Sequence, residues 1–243
     1  MVARLRAVLR LLSLQASYTY ERLQGVGMAV AQAPLLAPLA TQDPARAREA
    51  RGRSGQYFNA HPFLAGIAVG AQSRAELDGQ PGDRILRLRT ALSGPLGALG
   101  DQLFWAGVVP ALMGLALMAS ALGQGIPVLF GLLLGYNLVR VYVTDWGVRL
   151  GLRNGLNVAT DLSHSLLRPA AGAAGAVAGL IIGAAIPWVA WWLLGGAGRS
   201  GQLVLMIVAV AIVVGVLTRQ RPLSAPGVTL GAAALTLVWR WTT

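Results

Sequence analysis

Five polar side chains in an otherwise apolar chain are candidates for binding something: Gln15, Glu21, Asn59, His61 and Asp101. Asn59 carries two donors and an acceptor on one planar amide, a neutral grouping suited to a ligand whose own groups both donate and accept. It stands in Tyr57-Phe-Asn-Ala-His-Pro-Phe63, where Pro62 also allows it to cap a helix starting just beyond. His61 reads as a further ligand contact or as a hydrogen-bonding structural residue near that helix start. Asp101 directly precedes a long uncharged run. A carboxylate at membrane depth is costly and by default functional, and the alternative is that it satisfies free N–H groups at a helix N-terminus. Gln15 and Glu21, with Arg22 and Gln24, give the N-terminal segment its polar density and read as contacts to a partner, to the core or to the ligand.

Binding, not catalysis, is the chemistry these residues offer. No paired carboxylates and no nucleophile–base set support an enzyme built on Asp101 or Asp145. The chain has no Cys, which excludes disulfides and thiolate metal sites, and its two His are too few for a histidine metal cage. Gly94-Pro-Leu-Gly-Ala-Leu-Gly-Asp101 lacks the Lys-Ser/Thr ending of a phosphate loop, so no nucleotide and no cofactor is expected.

The elements that must position these residues are helices in a bilayer. Of 243 residues, 55% are hydrophobic and only 12% charged, about half the charged share of a soluble domain. All twenty basic residues are Arg, giving a net charge of +11, and they fall between the apolar runs or at their ends. That is the positive-inside pattern, not a nucleic-acid-binding face. Residues 103–122 and 170–194 are uncharged and long enough for a bilayer core of ~30 Å. Residues 126–139 follow a Gly-Gln-Gly turn and are short unless the helix runs on through Arg140 to Val143; residues 203–217 and 228–239 are shorter runs. With the N-terminus inside, Arg84, Arg87 and Arg89, then Arg149, Arg153 and Arg168, then Arg219 and Arg221 all lie on the cytoplasmic side. Arg140, near the end of its span, is expected to snorkel to that interface.

Residues 1–24 lack a signal-peptide pattern, and Leu5, Val8, Leu9 and Leu12 recur at helical spacing. They predict an amphipathic helix lying on membrane lipid or on a partner. Residues 63–71 and 91–100 are short apolar stretches interrupted or preceded by Gly and Pro. They predict broken or re-entrant helices, whose free backbone groups must be buried in protein or line a cavity. Gly97 and its neighbouring glycines are expected to serve close packing, as are the small residues of 171–178. The fold class is all-α and polytopic.

Four ordered stretches carry a family resemblance: Leu14-Gln-Ala-Ser-Tyr-Thr-Tyr-Glu-Arg-Leu-Gln-Gly-Val-Gly27; Tyr57 to Phe63; Gly94 to Asp101 with Phe104-Trp105; and Asn137-Leu-Val-Arg140 leading into Trp146-Gly-Val-Arg-Leu-Gly-Leu-Arg-Asn-Gly155. Together they resemble the IID membrane component of the mannose/fructose/sorbose phosphotransferase systems, closely over residues 8–165. The resemblance implies a non-catalytic subunit in the bacterial inner membrane that pairs with a IIC subunit and moves a hexose-type sugar by an elevator-like shift. Cytoplasmic IIA and IIB carry the phosphoryl group on His residues, IID is not phosphorylated, and the assembly is an oligomer of IIC–IID pairs. The five polar residues become expected sugar contacts. The whole chain, 1–243, is then one IID-type domain: an amphipathic segment 1–55, a motif-rich core 56–165 and C-terminal spans 166–243. A divergent scaffold that stabilises a IIC-like partner without transporting is the alternative.

Overall fold

The structure is a computed structural model, and the residues it describes are 1–163, 167–193, 229–231 and 233–234. Among these residues all regular structure is helical: α1 Val2–Leu12, α2 Gly25–Gln32, α3 Ala37–Gln42, α4 Pro44–Ser54, α5 Ala65–Leu77, α6 Gly82–Gly100, α7 Val109–Ala121, α8 Gly125–Asn154, α9 Val158–Ser163 and α10 Leu167–Leu193, with short 3₁₀ turns at Leu14–Ser17 and Gly155–Asn157. Three stretches, Gly82–Ala121, Gly125–Leu162 and Leu167–Ile186, are long and apolar enough to cross a membrane. The later apolar runs, with Arg219, Arg221, Trp239 and Trp241, lie outside the described residues or almost wholly so.

The interruption foreseen at the Gly/Pro-rich stretch takes a specific form. α6 contains Pro95 and passes at Asp101–Val108 into a π-helical stretch before resuming as α7. The helix at 126–139 does extend past Arg140, to Asn154. Residues 63–71 belong to α5, which is buried around almost its whole circumference. Its 13 residues cover about 20 Å, too short for a bilayer core.

The chain divides into two compact units, Met1–Asp101 with Tyr136–Leu167, and Gln102–Gly135 with Arg168–Thr243. In the first, α5 lies at the centre and meets α8 through glycines on both helices. A Cβ on Gly66 would stand 2.7 Å from the Thr144 carbonyl oxygen; one on Gly70 would collide with the Val148 carbonyl oxygen, and one on Gly151 with that of Ile67. A Cβ on Gly147 would stand 3.0 Å from the Ile67 side chain and 3.1 Å from its backbone nitrogen, a tight but less severe approach. The pairs Gly66/Gly70 and Gly147/Gly151, each four residues apart, thus allow backbone-to-backbone approach.

Polar locks surround this crossing. Asp43 caps α4 by accepting the Arg46 N–H at 2.9 Å, with Pro44 in the first turn. The buried Glu76 of α5 takes a bidentate Arg53 at 2.8 Å on both oxygens, and Arg46 lies 3.8 Å away while donating to the Glu76 and Gln80 carbonyls. Hydrogen bonding to Glu76 pushes Arg53 above its ordinary pKa. α1 buries Ala7, Val8 and Leu11 and leaves Val2, Leu5 and Leu9 exposed, so one edge of its apolar stripe packs on the protein and the other stays open. It is tied to α8 by Arg4–Asp145 at 3.0 Å, with Arg149 on the other Asp145 oxygen at 3.0 Å. Arg140 donates to the Leu12 carbonyl at the end of α1 and lies 5.4 Å over the Phe63 ring.

In the second unit Gly107 faces Ala174 and Gly114 faces Ile181, seven residues further along both chains, so α7 and α10 run parallel. α10 buries Ala171, Ala178 and Ala185, seven residues apart as in coiled-coil packing, together with Gly179 and Gly183. Gly172 and Gly175 face open space, whereas Gly107 and Gly114 are in close contact with α10.

Gly151→Val should destabilise the protein by about 3 kcal/mol or prevent folding, whereas Gly131→Ala, with nothing near its Cβ, should change stability by less than about 0.5 kcal/mol; thermal unfolding in detergent separates the two. Glu76→Gln, which removes the buried carboxylate facing Arg53 and Arg46, should cost about 3 kcal/mol in the same assay.

Candidate functional site

The loop 56–61 and the turn 18–24 are the irregular segments that carry Asn59 and Glu21. They are zipped together by a short parallel bridge: the Gln24 N–H donates to the Phe58 carbonyl at 3.0 Å, and the Phe58 N–H to the Arg22 carbonyl at 3.3 Å. The price of the tight turn is a positive φ of 45° at Leu23, a strained setting for a non-glycine residue. Gly25 can have no side chain because a Cβ there would strike the Gln56 carbonyl.

Every residue from 56 to 60 has a backbone polar group held by a distant partner. Buried Arg89 of α6 donates to the Gln56 carbonyl (2.5 Å) and the Tyr57 carbonyl (3.2 Å). Ser93, one turn on, takes the Asn59 N–H at 3.3 Å and donates its hydroxyl to the Asn59 carbonyl at 2.5 Å. The buried Gln24 side chain accepts the Ala60 N–H and donates to the Ala60 carbonyl, as the peptide group of an adjacent strand would, and also donates to Tyr18 Oη. On this fixed backbone the Asn59 side chain is exposed. Asn59 does not cap a helix; α5 starts at Ala65 with no side-chain cap, and the His61 carbonyl accepts the Leu64 and Ala65 N–H groups at 3.0 Å.

His61 is buried at 1% exposure, in edge contact with Phe63 at 4.9 Å, its Nδ1 accepting the Phe63 N–H at 3.3 Å. Gly100 lies so close that a Cβ would collide with the imidazole; Gly97, 3.8 Å from Ala60 Cα, is only in ordinary contact, so the tight position of this segment is Gly100. Burial pushes the His61 imidazole down to about 4, so it is neutral at physiological pH. Asp101, next after Gly100, is exposed and continues the helix into its π-helical stretch. It therefore stands at no free helix N-terminus. Glu21 and Gln15 are exposed, Glu21 on the bridged turn and Gln15 on the 3₁₀ turn that packs on Gly27. The structure joins the segments bearing Glu21, Asn59 and His61 and sets Gly100, beside Asp101, against His61; no hydrogen bond links the Gln15 side chain to this group. Asp145, between Arg4 and Arg149, holds helices together.

The sequence placed Arg89 with the loop arginines and gave Ser93 no task, while Gln24, one of the polar residues read as possible core contacts, is indeed buried. A signal for Arg89 was present, since it lies in the buried stripe of Ile85, Leu88, Leu92 and Leu96.

Residues 3–190 match the PTS system mannose/fructose/sorbose family IID component. The chain belongs to this family. Among its relatives, the mannose-specific EIID component of Escherichia coli (strain K12) is 28% identical over 163 residues, covering 63% of this chain and 56% of that protein. The fructose permease IID component of Bacillus subtilis (strain 168) is 30% identical over 162 residues, 64% of this chain and 58% of that one. The sorbose-specific EIID component of Klebsiella pneumoniae is 34% identical over 166 residues, 63% and 57%. This IID component thus spans little more than half the length of the curated relatives it matches. A chain in the cryoEM structure of the mannose transporter ManYZ with microcin E492 shares its fold, with a TM-score of 0.58 at 24% identity over 76% of this chain and 69% of that one. A second solved structure, described as a membrane protein, gives 0.65 at 26% over the same shares.

Because the folded-state pKa of His61 lies below the ordinary 6.5, its contribution to stability is complete above pH 6.5 and is lost as pH falls from there toward about 4. The difference in thermal midpoint between wild type and His61→Gln, followed over that range in detergent, should shift in favour of the glutamine variant as pH falls.

Proposed function

We propose that this chain is the non-catalytic membrane subunit of a sugar phosphotransferase permease in the bacterial inner membrane. Paired with a IIC subunit, in an oligomer of such pairs, it binds a hexose-type sugar and delivers it to the cytoplasmic side, where IIB, recharged by IIA, phosphorylates it. Family membership supports the pairing and the reaction, and the positive-inside count of the Arg-bearing loops supports the orientation. Residues 1–243 act as one IID-type module in this scheme.

The observation that carries the sugar reading is the Asn59 loop. A ligand of hydroxyl groups is bound by neutral groups that donate and accept, and affinity improves when those groups are fixed before binding. Asn59 is such a group, exposed on a backbone whose positions 56–60 are all tied. Glu21 on the bridged turn, Asp101 beyond Gly100 and Gln15 supply further exposed acceptors and donors, with His61 as the buried support behind the loop.

Phosphoenolpyruvate-dependent uptake of labelled mannose, fructose and sorbose tests this in a host lacking its own mannose-type system, with cognate IIA, IIB and IIC expressed with and without this chain. Uptake should require the chain, and Asn59→Ala should raise the half-saturating sugar concentration about tenfold, the equivalent of one or two neutral hydrogen bonds, while the IIC complex forms normally. Absence of uptake of every sugar despite a stable IIC complex would instead indicate a scaffold that does not transport.

A further inference from the structure

Arg89 is a buried cation, 3% exposed, that makes no ion pair among the described residues. Its Nη1 donates to Gln72 Oε1 at 2.8 Å, its Nη2 and Nε go to two consecutive carbonyls, Gln56 and Tyr57, and its guanidinium lies 4.9 Å over the Phe58 ring. The nearest carboxylate along α5, Glu76, is occupied by Arg53 and Arg46. Burying a charge without a counter-charge is costly, and a neutral side chain could satisfy Gln72 alone. What only a guanidinium supplies here is a planar fork wide enough to hold two successive carbonyls of one loop and a third acceptor behind it.

The loop so held leads directly to Asn59. With Gln56 and Tyr57 fixed by Arg89, Asn59 by Ser93 and Ala60 by Gln24, the direction in which the Asn59 amide leaves the backbone is set from α6. We propose that Arg89 is a positioning residue for sugar binding: it does not touch the ligand, and it fixes the presentation of Asn59 through the carbonyls of Gln56 and Tyr57. This rests on the reading of Asn59 as a sugar contact. The buried charge is retained for the geometry of its fork, so lysine, with the same charge and one point of donation, is not an adequate replacement.

The test uses the assembled permease and a double-mutant cycle. Arg89→Lys should raise the half-saturating sugar concentration about tenfold with maximal uptake within about twofold of wild type and normal recovery of the IIC complex. On an Asn59→Ala background the same change should add less than about twofold, because the group it positions is gone. Amide hydrogen exchange of the purified complex supplies a readout independent of transport: in Arg89→Lys, faster exchange should be confined to peptides covering 56–61. Equal losses on both backgrounds, or an unchanged half-saturating concentration in Arg89→Lys, would overturn the proposal. So would faster exchange throughout α5 and α6 or failure of the complex to form, since Arg89 would then hold the fold as a whole. If Asn59→Ala alone leaves uptake unchanged, the sugar reading of Asn59 fails, a result separable from the exchange measurement on Arg89.

Discussion

The close crossing of α5 and α8 is the constraint from which the rest of the first unit follows. Glycines on both helices let two backbones meet with no side chain between them, and α5 is thereby buried nearly all round. On a helix so enclosed, the polar residues Gln72 and Glu76 take their partners from other elements. Glu76 draws in α4 through Arg53 and Arg46, Gln72 draws in α6 through Arg89, and α8 holds α1 through Asp145 and Arg140.

The same arrangement explains how an irregular loop persists in a protein of this class. Backbone groups away from water must be satisfied inside the protein, and 56–60 has neither a helix nor a sheet to do it. Side chains take over: an arginine fork, a serine hydroxyl and a glutamine amide stand in for the missing strand. Their contribution is specificity of geometry as much as stability, because each partner comes from an element already fixed by the central crossing. A binding group on such a loop loses little freedom when it meets its ligand.

Much of this was legible in the sequence. Long uncharged runs gave the spans, and the ordered motifs gave the family, because hydrophobic length and motif order are local properties of the chain. Asn59, His61 and Asp101 were recognisable as unusual, yet their settings were not: His61 is buried against a glycine, and Asp101 continues a helix where a helix start was one reading. Those facts depend on contacts between residues far apart in sequence. The tasks of Arg89 and Arg140 were hidden for the same reason, since positive charge in a membrane protein is ordinarily read as a marker of the interface, and only the fold shows which carbonyls these two hold. The small-residue pattern of α10 was visible, but that Gly107 and Gly114 pack against it was not.

The α5–α8 crossing also bears on how this gene can vary. Gly131 and Gly135 have open space where a Cβ would go, while Gly147 and Gly151, in the same helix, have another backbone there. In the genetic code, every single-base missense change of a glycine codon yields a residue that has a Cβ. At Gly151 there is therefore no mild one-step neighbour, and drift along α8 is channelled toward the half that does not face α5.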